Sequence, residues 1–206
     1  MRMNVAAAPA GFNPSATADS DLVVRAIAGR EDGFEELVRR YQRPIAAYVY
    51  RMVGDYDSAL DLTQEVFIRI YNSLGRYRPE FKFSTWIYRI AHNAAIDHLR
   101  RSDSSRTEDL EVEGEGGQTF QRPLASKAPT PEQLSERNER RGEIEEVIRQ
   151  LPPAYRELIV LRHAHDFSYD EIAEVTGLPL GTVKNRIFRA REAMRAHLVE
   201  RGITSV

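Results

Sequence analysis

The stretch SYDEIAEVTGLPLGTVKNRIFRAREAM, residues 168–194, contains two amphipathic helical patterns separated by a short turn. Ser168 and Glu171 have the spacing of a capping box, and Gly177 is a natural end for the first helix. In the second pattern the apolar residues share one helix face, while basic and polar residues lie elsewhere. The apolar face contains Val183, Ile187, Ala190, Met194 and Leu198, and the other positions include Lys184, Asn185, Phe188, Arg189 and Arg195. We therefore expect one face to pack and another to stay exposed and basic.

A short capped helix, a turn with glycine and a basic amphipathic helix are typical of a helix-turn-helix, whose second helix lies in the major groove of DNA. Arginine and lysine bind guanine edges, asparagine binds adenine, and all three bind phosphates. The alternative is a solvated amphipathic helix, but the capped partner helix, the tight turn TGLPLG and the excess of cations favour DNA binding. Phe188 is predicted either to contact a base or sugar, or to be a minor core residue.

The residues before this motif also indicate helices. AYRELIVLRHA, residues 154–164, is short and apolar enough to be buried, and Pro152 and Pro153 end a helix that contains Ile144, Val147 and Ile148. Thr130 followed by Pro131 is typical of an N-cap with proline at the first helical position. We therefore predict a second helical domain over residues 131–201.

The sequence HAHD, residues 163–166, is the best candidate for a metal site in this chain. Alternate positions on a helix point to different sides, so the two imidazoles are predicted to have structural or surface roles. A glycine-rich phosphate loop and a nucleophile motif are both lacking. We therefore expect neither an enzyme nor a cofactor.

The amino-terminal half has a second helical pattern, which predicts a first domain over residues 21–101. Its apolar residues recur at helix spacing as Phe34, Leu37, Val38 and Tyr41, as Ala59, Leu62, Val66, Ile70 and Leu74, and as Phe83, Ile87, Ile90 and Ala94. Asp32 is a candidate N-cap, and VGDYD at residues 53–57 reads as a turn. Residues 1–20 are predicted to be a loose tail, and residues 102–130 a flexible acidic linker. The fold class predicted is therefore all-α, with two small helical domains.

Within the first domain, RYRPEFKFSTWIYRIAHNAAIDHLRR at residues 76–101 interleaves aromatic and basic side chains. Such a pattern suits single-stranded nucleic acid, because rings stack on unpaired bases while cations follow the backbone. The interleaved side chains are Tyr77, Phe81, Phe83, Trp86 and Tyr88, with Arg76, Arg78, Lys82, Arg89, Arg100 and Arg101. Aromatic residues at helical spacing are also typical of a core, and Phe83 in particular lies on the apolar face.

Composition excludes several classes of function. The 206 residues include no cysteine, which excludes disulfides, thiolate metal sites and a thiol redox switch within the chain. No stretch is long and apolar enough for a membrane span, and the amino-terminal apolar run is too short for a secretory signal, so we expect a cytoplasmic protein. The net charge of −2 conceals opposed acidic and basic blocks.

From about Asp21 to Leu198 the chain resembles the extracytoplasmic-function sigma factors, a group of the sigma-70 family of bacterial transcription initiation factors. Three stretches show this resemblance: DLTQEVFIRIYNSL at residues 61–74, FSTWIYRIAHNAAIDHLRR at 83–101, and LPPAYRELIVLRHAHDFSYDEIAEVTGLPLGTVKNRIFRAREAM at 151–194. The resemblance implies a sigma2-like helical bundle at residues 21–101 and a sigma4-like helix-turn-helix domain at 131–201, joined by the flexible linker.

The resemblance also implies partners and site residues. Core RNA polymerase would bind through the clamp helices of its largest subunit and through its flap, with clamp contacts at Asp61, Gln64, Glu65, Phe67 and Ile68. Reading and melting of the minus-ten element, as single strands, would use Phe81, Lys82, Trp86, Arg89, Asn93, Arg100 and Arg101. Reading of the duplex minus-thirty-five element would use Arg162, Thr182, Lys184, Asn185, Phe188 and Arg189. Arg186 and Arg191 are predicted to contact phosphates or to form pairs within the domain.

Sigma factors of this group are commonly held by an anti-sigma factor, so the resemblance implies that partner too. Because the chain lacks cysteine, an oxidative or envelope signal is expected to act on the partner. The competing interpretation is an operator-binding helix-turn-helix regulator that acts without polymerase. The aromatic and basic stretch and the DLTQEVF motif speak against that interpretation.

Overall fold

The computed structural model describes residues 18–78, 80–106 and 142–200. Across these three ranges all regular secondary structure is helical, which confirms the predicted all-α class. The helices are α1 (Asp19–Ile27), α2 (Glu31–Val53), α3 (Tyr56–Ser73), α4 (Phe83–Arg106), α5 (142–150), α6 (Pro153–Ile159), α7 (Tyr169–Thr176) and α8 (Leu180–Glu200). A 3₁₀ turn at Leu74–Arg76 follows α3, and a π-helical turn at Val160–Ala164 extends α6.

Helices α1 to α4 form the first unit, and its turns follow the local chemistry of the chain. Gly54 ends α2 at a φ of 83°, and the Asp55 carboxylate accepts a hydrogen bond of 2.8 Å from the Ser58 amide at the start of α3. The predicted turn at residues 53–57 is thus confirmed. At Gly33 a Cβ would lie 2.7 Å from the Leu22 carbonyl oxygen, so only glycine lets α1 and α2 approach this closely.

Two boundaries differ from the sequence-based expectation. Asp32 is not the N-cap, because α2 begins at Glu31 and Asp32 lies in its first turn, where a carboxylate is stabilised by the helix dipole and by Arg25. Residues 102–106, assigned to the linker, instead continue α4, since extending an existing helix adds one hydrogen bond per residue fixed. The remaining linker, the predicted N-cap at Thr130 and nearly all of the amino-terminal tail fall outside the described residues.

Helices α5 to α8 form the second unit. The apolar run of α6 and its π-helical extension is buried, as predicted, at Leu158, Ile159, Val160 and Leu161. At the start of α7 the Ser168 and Glu171 side chains form both hydrogen bonds of the capping box, and Gly177 ends this helix at a φ of 70°. Both features confirm the sequence-based prediction, and together they fix the direction in which the chain enters α8.

The two units pack directly against each other, a contact that the sequence analysis did not predict. Tyr88 of α4 is buried, its hydroxyl lies 2.7 Å from His165 Nδ1, and its ring lies 4.9 Å from that of Phe167. Tyr48 of α2 contacts the same imidazole at 5.9 Å between ring centroids. The buried residues of both units therefore form one hydrophobic core.

A buried polar cluster lies in this interface. The Glu157 carboxylate of α6 lies 3.5 Å from His92 Nδ1 of α4, and the Tyr48 hydroxyl lies 3.3 Å from the same nitrogen. Burial raises the pKa of Glu157 from 4.5 to about 7, although Arg186 opposes the rise. Burial also lowers the pKa of His92 from 6.5 to about 4, aided by Arg100 and opposed by Asp97. Both groups therefore favour their neutral forms in the folded chain.

These two shifts predict opposite pH dependences of stability. Below pH 4.5 Glu157 is protonated in both the folded and unfolded chains, and its burial increasingly disfavours folding as the pH rises from 4.5 to 7. His92 disfavours folding increasingly as the pH falls from 6.5 to 4. Relative to the wild type, Glu157→Gln should gain free energy of unfolding as the pH rises, and His92→Gln should gain it as the pH falls. Denaturant unfolding across this range measures both differences, and slopes of the same sign would contradict the assignment.

Candidate nucleic-acid interface

The outward surface of α8 presents the basic and polar residues that the sequence predicted. Lys184, Asn185 and Arg189 are exposed, whereas Val183 and Ile187 of the same helix are buried. Phe188 is 65% exposed, so it is not a core residue. A large aromatic ring held in water among cations is suited to contact a base, a sugar or a thymine methyl group.

The turn before α8 positions this surface. The Pro179 carbonyl oxygen accepts hydrogen bonds from the Thr182 amide at 2.8 Å and from the Val183 amide at 3.1 Å, and these start the helix. Thr182 is partly buried at this end. Amides at a helix amino terminus, which carries partial positive charge, are suited to bind a phosphate of DNA.

Three other arginines of the second unit, Arg162, Arg186 and Arg191, act on groups within it. Arg162, predicted to reach the duplex from the preceding helix, donates a hydrogen bond of 3.0 Å to the Phe167 carbonyl and lies 5.5 Å from the centre of the Tyr169 ring. Arg191 Nη2 lies 3.3 Å from His163 Nε2. Arg186 acts on the buried Glu157 carboxyl, whose pKa it lowers against the effect of burial. Of the two alternatives predicted for these residues, Arg191 therefore has a partner within the domain, and the role of Arg186 stays a prediction.

A second basic surface lies on α4. Lys82, Arg89 and Asn93 are exposed, with Trp86 half-buried between them at the spacing of a single helix face. The indole packs against Tyr77 at 5.5 Å and Phe83 at 5.6 Å between ring centroids, so its orientation is fixed. Phe81, Arg100 and Arg101 are exposed at the two ends of the same region.

Two of the interleaved aromatic rings are not available to nucleic acid in this structure. Phe83 is buried in the first unit, where it also contacts Tyr41, and Tyr88 is buried in the contact with the second unit. The expectation that Tyr88 stacks on unpaired bases is therefore wrong for this conformation. Helical spacing alone could not tell that Tyr88 is buried while Trp86 is accessible, because the residues that cover Tyr88 belong to the other unit.

An open pocket of about 440 Å³ lies between α3 and α4. Its lining residues are Arg69, Asn72, Ser73, Arg76, Ile90 and Asn93. Guanidinium groups bind phosphates, and amides can donate to and accept from a base edge, so this lining suits a nucleotide. Of these residues, Asn93 is among the predicted minus-ten contacts and Arg76 among the interleaved cations. The other polar residues follow DLTQEVF at helix spacing, and that periodicity was the signal that could have identified them.

The outer face of α3 is a separate, mixed surface. Asp61, Gln64 and Ile68 are exposed, and Ile68 is 61% exposed. Glu65 is half-exposed and bonds Arg69 at 2.5 Å, while Phe67 is partly buried and packs against the core. Leu60 and Tyr71, which were not predicted, extend the exposed apolar surface, and Tyr71 is 62% exposed. Apolar side chains kept in water beside acids are suited to bind another protein.

The HAHD sequence makes structural contacts. His165 contacts Tyr88, and His163 lies beside Arg191, so the two imidazoles have different partners. Among the residues that the structure describes, no group of three or more histidine, aspartate or glutamate side chains is arranged to hold a metal ion. Nor does any helix within those residues have the length and hydropathy needed to span a membrane.

Each of the two units matches a known protein family. The Sigma-70 region 2 family model matches residues 37–105, and the Sigma-70, region 4 model matches residues 141–194. The ECF RNA polymerase sigma factor SigW of Bacillus subtilis is 39% identical over 170 residues, which cover 82% of this chain and 91% of SigW.

Two solved structures are similar in fold. The structure of CnrH in complex with the cytosolic domain of CnrY matches with a TM-score of 0.65 at 25% identity, covering 89% of this chain and 99% of that one. The sigma factor RpoE in complex with the anti-sigma factor NepR, from Bartonella quintana, matches with a TM-score of 0.65 at 19% identity. That match covers 80% of this chain and 96% of RpoE.

Neighbouring positions of α8 should separate binding from folding. Phe188→Ala removes an exposed ring and should change the free energy of unfolding by less than about 0.5 kcal/mol. Ile187→Ala empties a buried site and should lower it by about 2–5 kcal/mol. Denaturant unfolding of both variants measures this contrast. A loss of stability in Phe188→Ala as large as that in Ile187→Ala would show that the exposed ring is structural.

Proposed function

The chain belongs to the extracytoplasmic-function sigma factors of the sigma-70 family, and from this premise we propose which surfaces bind polymerase and which bind promoter DNA. Its function is to bind RNA polymerase core and direct transcription to start at specific promoters. The observation that supports the assignment of surfaces is the presence of two exposed basic and aromatic surfaces, one on each helical unit. Each is suited to a different form of DNA.

The surface of α8 binds the duplex minus-thirty-five element. Lys184, Asn185, Phe188 and Arg189 face base edges in the major groove, and Thr182 and the adjacent amides hold a phosphate. Arg162 contributes from the preceding helix, where its Nη1 donates to the Phe167 carbonyl and its other donors remain for DNA. The buried face of α8 fixes the helix on its unit, so the reading residues act from a rigid support.

The surface of α4 binds the minus-ten element as single strands. Trp86 is held by Tyr77 and Phe83 where it can separate the strands, while Lys82 and Arg89 contact the backbone. One base leaves the stack and enters the pocket lined by Asn72, Arg76 and Asn93. Flipping a base costs a few kcal/mol, which stacking and the pocket contacts offset. Melting is thus capture of one DNA state and requires no catalytic group of this chain.

The outer face of α3 binds the clamp helices of the largest polymerase subunit. The exposed residues Asp61, Gln64 and Ile68 supply polar and apolar contacts, and Leu60 and Tyr71 extend the surface. The second unit in turn contacts the flap. A sigma factor acts on chromosomal DNA together with polymerase, and we therefore assign its action to the cytoplasm.

An anti-sigma factor controls the chain. Support comes from RpoE, a structure of the same fold that was solved with the anti-sigma factor NepR. Because this sequence contains no cysteine, an oxidative signal cannot act through a thiol of the sigma factor itself. Such a signal acts on the partner.

Run-off transcription tests the proposal. Purified core polymerase is given a genomic fragment library with and without this chain, and new start sites are mapped. We expect starts that share two upstream motifs at one spacing. Absence of new starts, together with a duplex footprint of the chain alone, would instead indicate an operator-binding regulator.

Arg189→Ala tests the assignment of α8. Loss of a bidentate base contact costs about 1–3 kcal/mol, so transcription from promoters with the preferred upstream motif should fall about 5-fold to 150-fold while core binding is unchanged. Arg195→Ala, an exposed arginine farther along the same helix, is the matched control. Equal promoter selectivity in Arg189→Ala and the wild type would remove Arg189 from the reading surface.

The double variant Gln64→Ala, Glu65→Ala tests the assignment of α3. We expect its affinity for core polymerase to fall at least about tenfold, equivalent to about 1.4 kcal/mol, as measured by fluorescence anisotropy of the labelled chain. Glu35→Ala with Gln42→Ala changes the same residue types at exposed positions of α2 and should bind normally. Wild-type affinity of the α3 variant would refute this docking face.

A further inference from the structure

Two arginines and a histidine come together where the π-helical turn packs against α8. His163 Nε2 of the turn lies 3.3 Å from Arg191 Nη2 of α8, and Arg162, the preceding residue of the turn, is close enough to act on the same imidazole. Within the described ranges, no carboxylate forms an ion pair with Arg162 or Arg191. In that part of the chain, the two guanidinium charges are therefore not neutralised by an acid.

Exposed arginines elsewhere in the second unit are paired differently. Arg149 lies 3.1 Å from Glu146, and Arg195 lies 3.3 Å from Glu192, each one helical turn away. Arg191 instead faces an imidazole, whose Nε2 can accept a hydrogen bond only while the ring is neutral. Hydrogen bonds from a guanidinium to an anion are stronger than those to a neutral group, so this arginine is suited to bind an anion.

The contact of His163 with Arg191 lies beside the surface of α8 that we assign to the minus-thirty-five element. Arg191 follows Lys184 by seven residues and Phe188 by three, so it shares their side of the helix and lies about 4.5 Å farther along the axis than Phe188. A recognition helix contacts base edges mainly through its amino-terminal residues. The anion nearest to the residues that follow is a phosphate of the DNA backbone.

We propose that His163 and Arg191 together bind one phosphate of the DNA backbone beside the minus-thirty-five element, and that His163 takes up a proton from solvent when this phosphate binds. The proposal rests on the function assigned above to α8. In the bound state the imidazolium donates a hydrogen bond to one phosphate oxygen, and the guanidinium donates to another. The phosphate then separates two cations that would otherwise repel each other.

The charges around the imidazole keep it neutral until the phosphate arrives. Partial burial of the ring lowers the pKa of His163 below 6.5, and Arg191 and Arg162 lower it further, whereas Asp166 opposes them. Loss of the neutral ring's hydrogen bond to Arg191 accompanies protonation. In the free chain the protonated state is therefore unfavourable near neutral pH.

Helices α2 and α7 also pack on the π-helical turn and the residue after it, with Tyr48 against His165 and Tyr169 against Arg162. A bound phosphate favours the charged imidazole and so raises the pKa of His163. Promoter affinity should then increase as the pH falls through the pKa of the bound state, and level off below the pKa of the free state.

The pH dependence of promoter binding tests this site. Holoenzyme made from core polymerase and the full chain is titrated with a promoter found by run-off transcription, at constant ionic strength. At each pH the Kd of His163→Gln is divided by that of the wild type, which cancels titrations within polymerase. We expect a ratio close to one at about pH 8 and at least about threefold at about pH 6, since uptake of one proton changes affinity by up to about tenfold per pH unit.

Two further variants serve as controls for the pH profile. His163→Lys supplies a positive charge throughout this range, so it should bind as tightly at high pH as the wild type does at low pH. Glu157→Gln removes the buried carboxyl whose pKa is about 7, and it should keep the wild-type profile. A ratio for His163→Gln that is constant across the pH range would overturn the proposal.

Arg191→Gln tests the other half of the site. A phosphate contact carries no sequence information, so binding should weaken by the same factor on the preferred promoter and on one with an altered upstream element. The slope of log Kd against log salt should also fall by about one. Arg195→Gln, at an exposed position one turn farther along α8, is the matched control and should keep the wild-type slope.

The outcomes separate this site from the proposed function. A loss in Arg191→Gln that is confined to the preferred promoter would show a base contact, and an unchanged salt slope would show no phosphate contact, so either result would overturn the site. A wild-type holoenzyme that binds no specific promoter would overturn the proposed function instead.

Discussion

Tyr88 lies between the two helical units, and the relation of the whole chain to DNA depends on what covers that ring. Its hydroxyl meets His165 and its face meets Phe167, so one side of α4 is closed by the second unit. The neighbouring side of the same helix keeps Arg89 and Asn93 in solvent. One helix therefore holds the units together and also presents the surface assigned to the minus-ten element. A change in the contact between the units therefore also affects the surface of α4 assigned to the minus-ten element.

The second unit separates support from recognition within a single helix. Buried Val183 and Ile187 fix α8, and the capping box and Gly177 fix the turn that leads into it. Most of the stabilisation of such a helix comes from burial of its apolar face. The exposed face can therefore change without loss of the fold.

Closed packing and promoter specificity are linked by simple geometry. Two weak DNA-binding surfaces together bind tightly only when they are held at the spacing of the two promoter elements. Tethering raises the effective concentration of the second surface at that spacing and nowhere else. A chain whose two DNA-binding surfaces are packed together does not gain this increase in effective concentration. In the proposed function, polymerase supplies the correct spacing.

The amino-acid sequence by itself determined the all-helical class, the helix-turn-helix, its caps and the exposed basic face of α8, because each follows from local spacing along a single helix. It also indicated the region of α4 that carries the exposed cations. Tertiary structure alone decided that Tyr88 is buried while Trp86 keeps an accessible edge, that Arg69, Asn72 and Arg76 share a pocket with Asn93, and that Lys82 meets Glu171. In each of these cases the deciding partner lies on another helix, and helical periodicity carries no information about which helices come together.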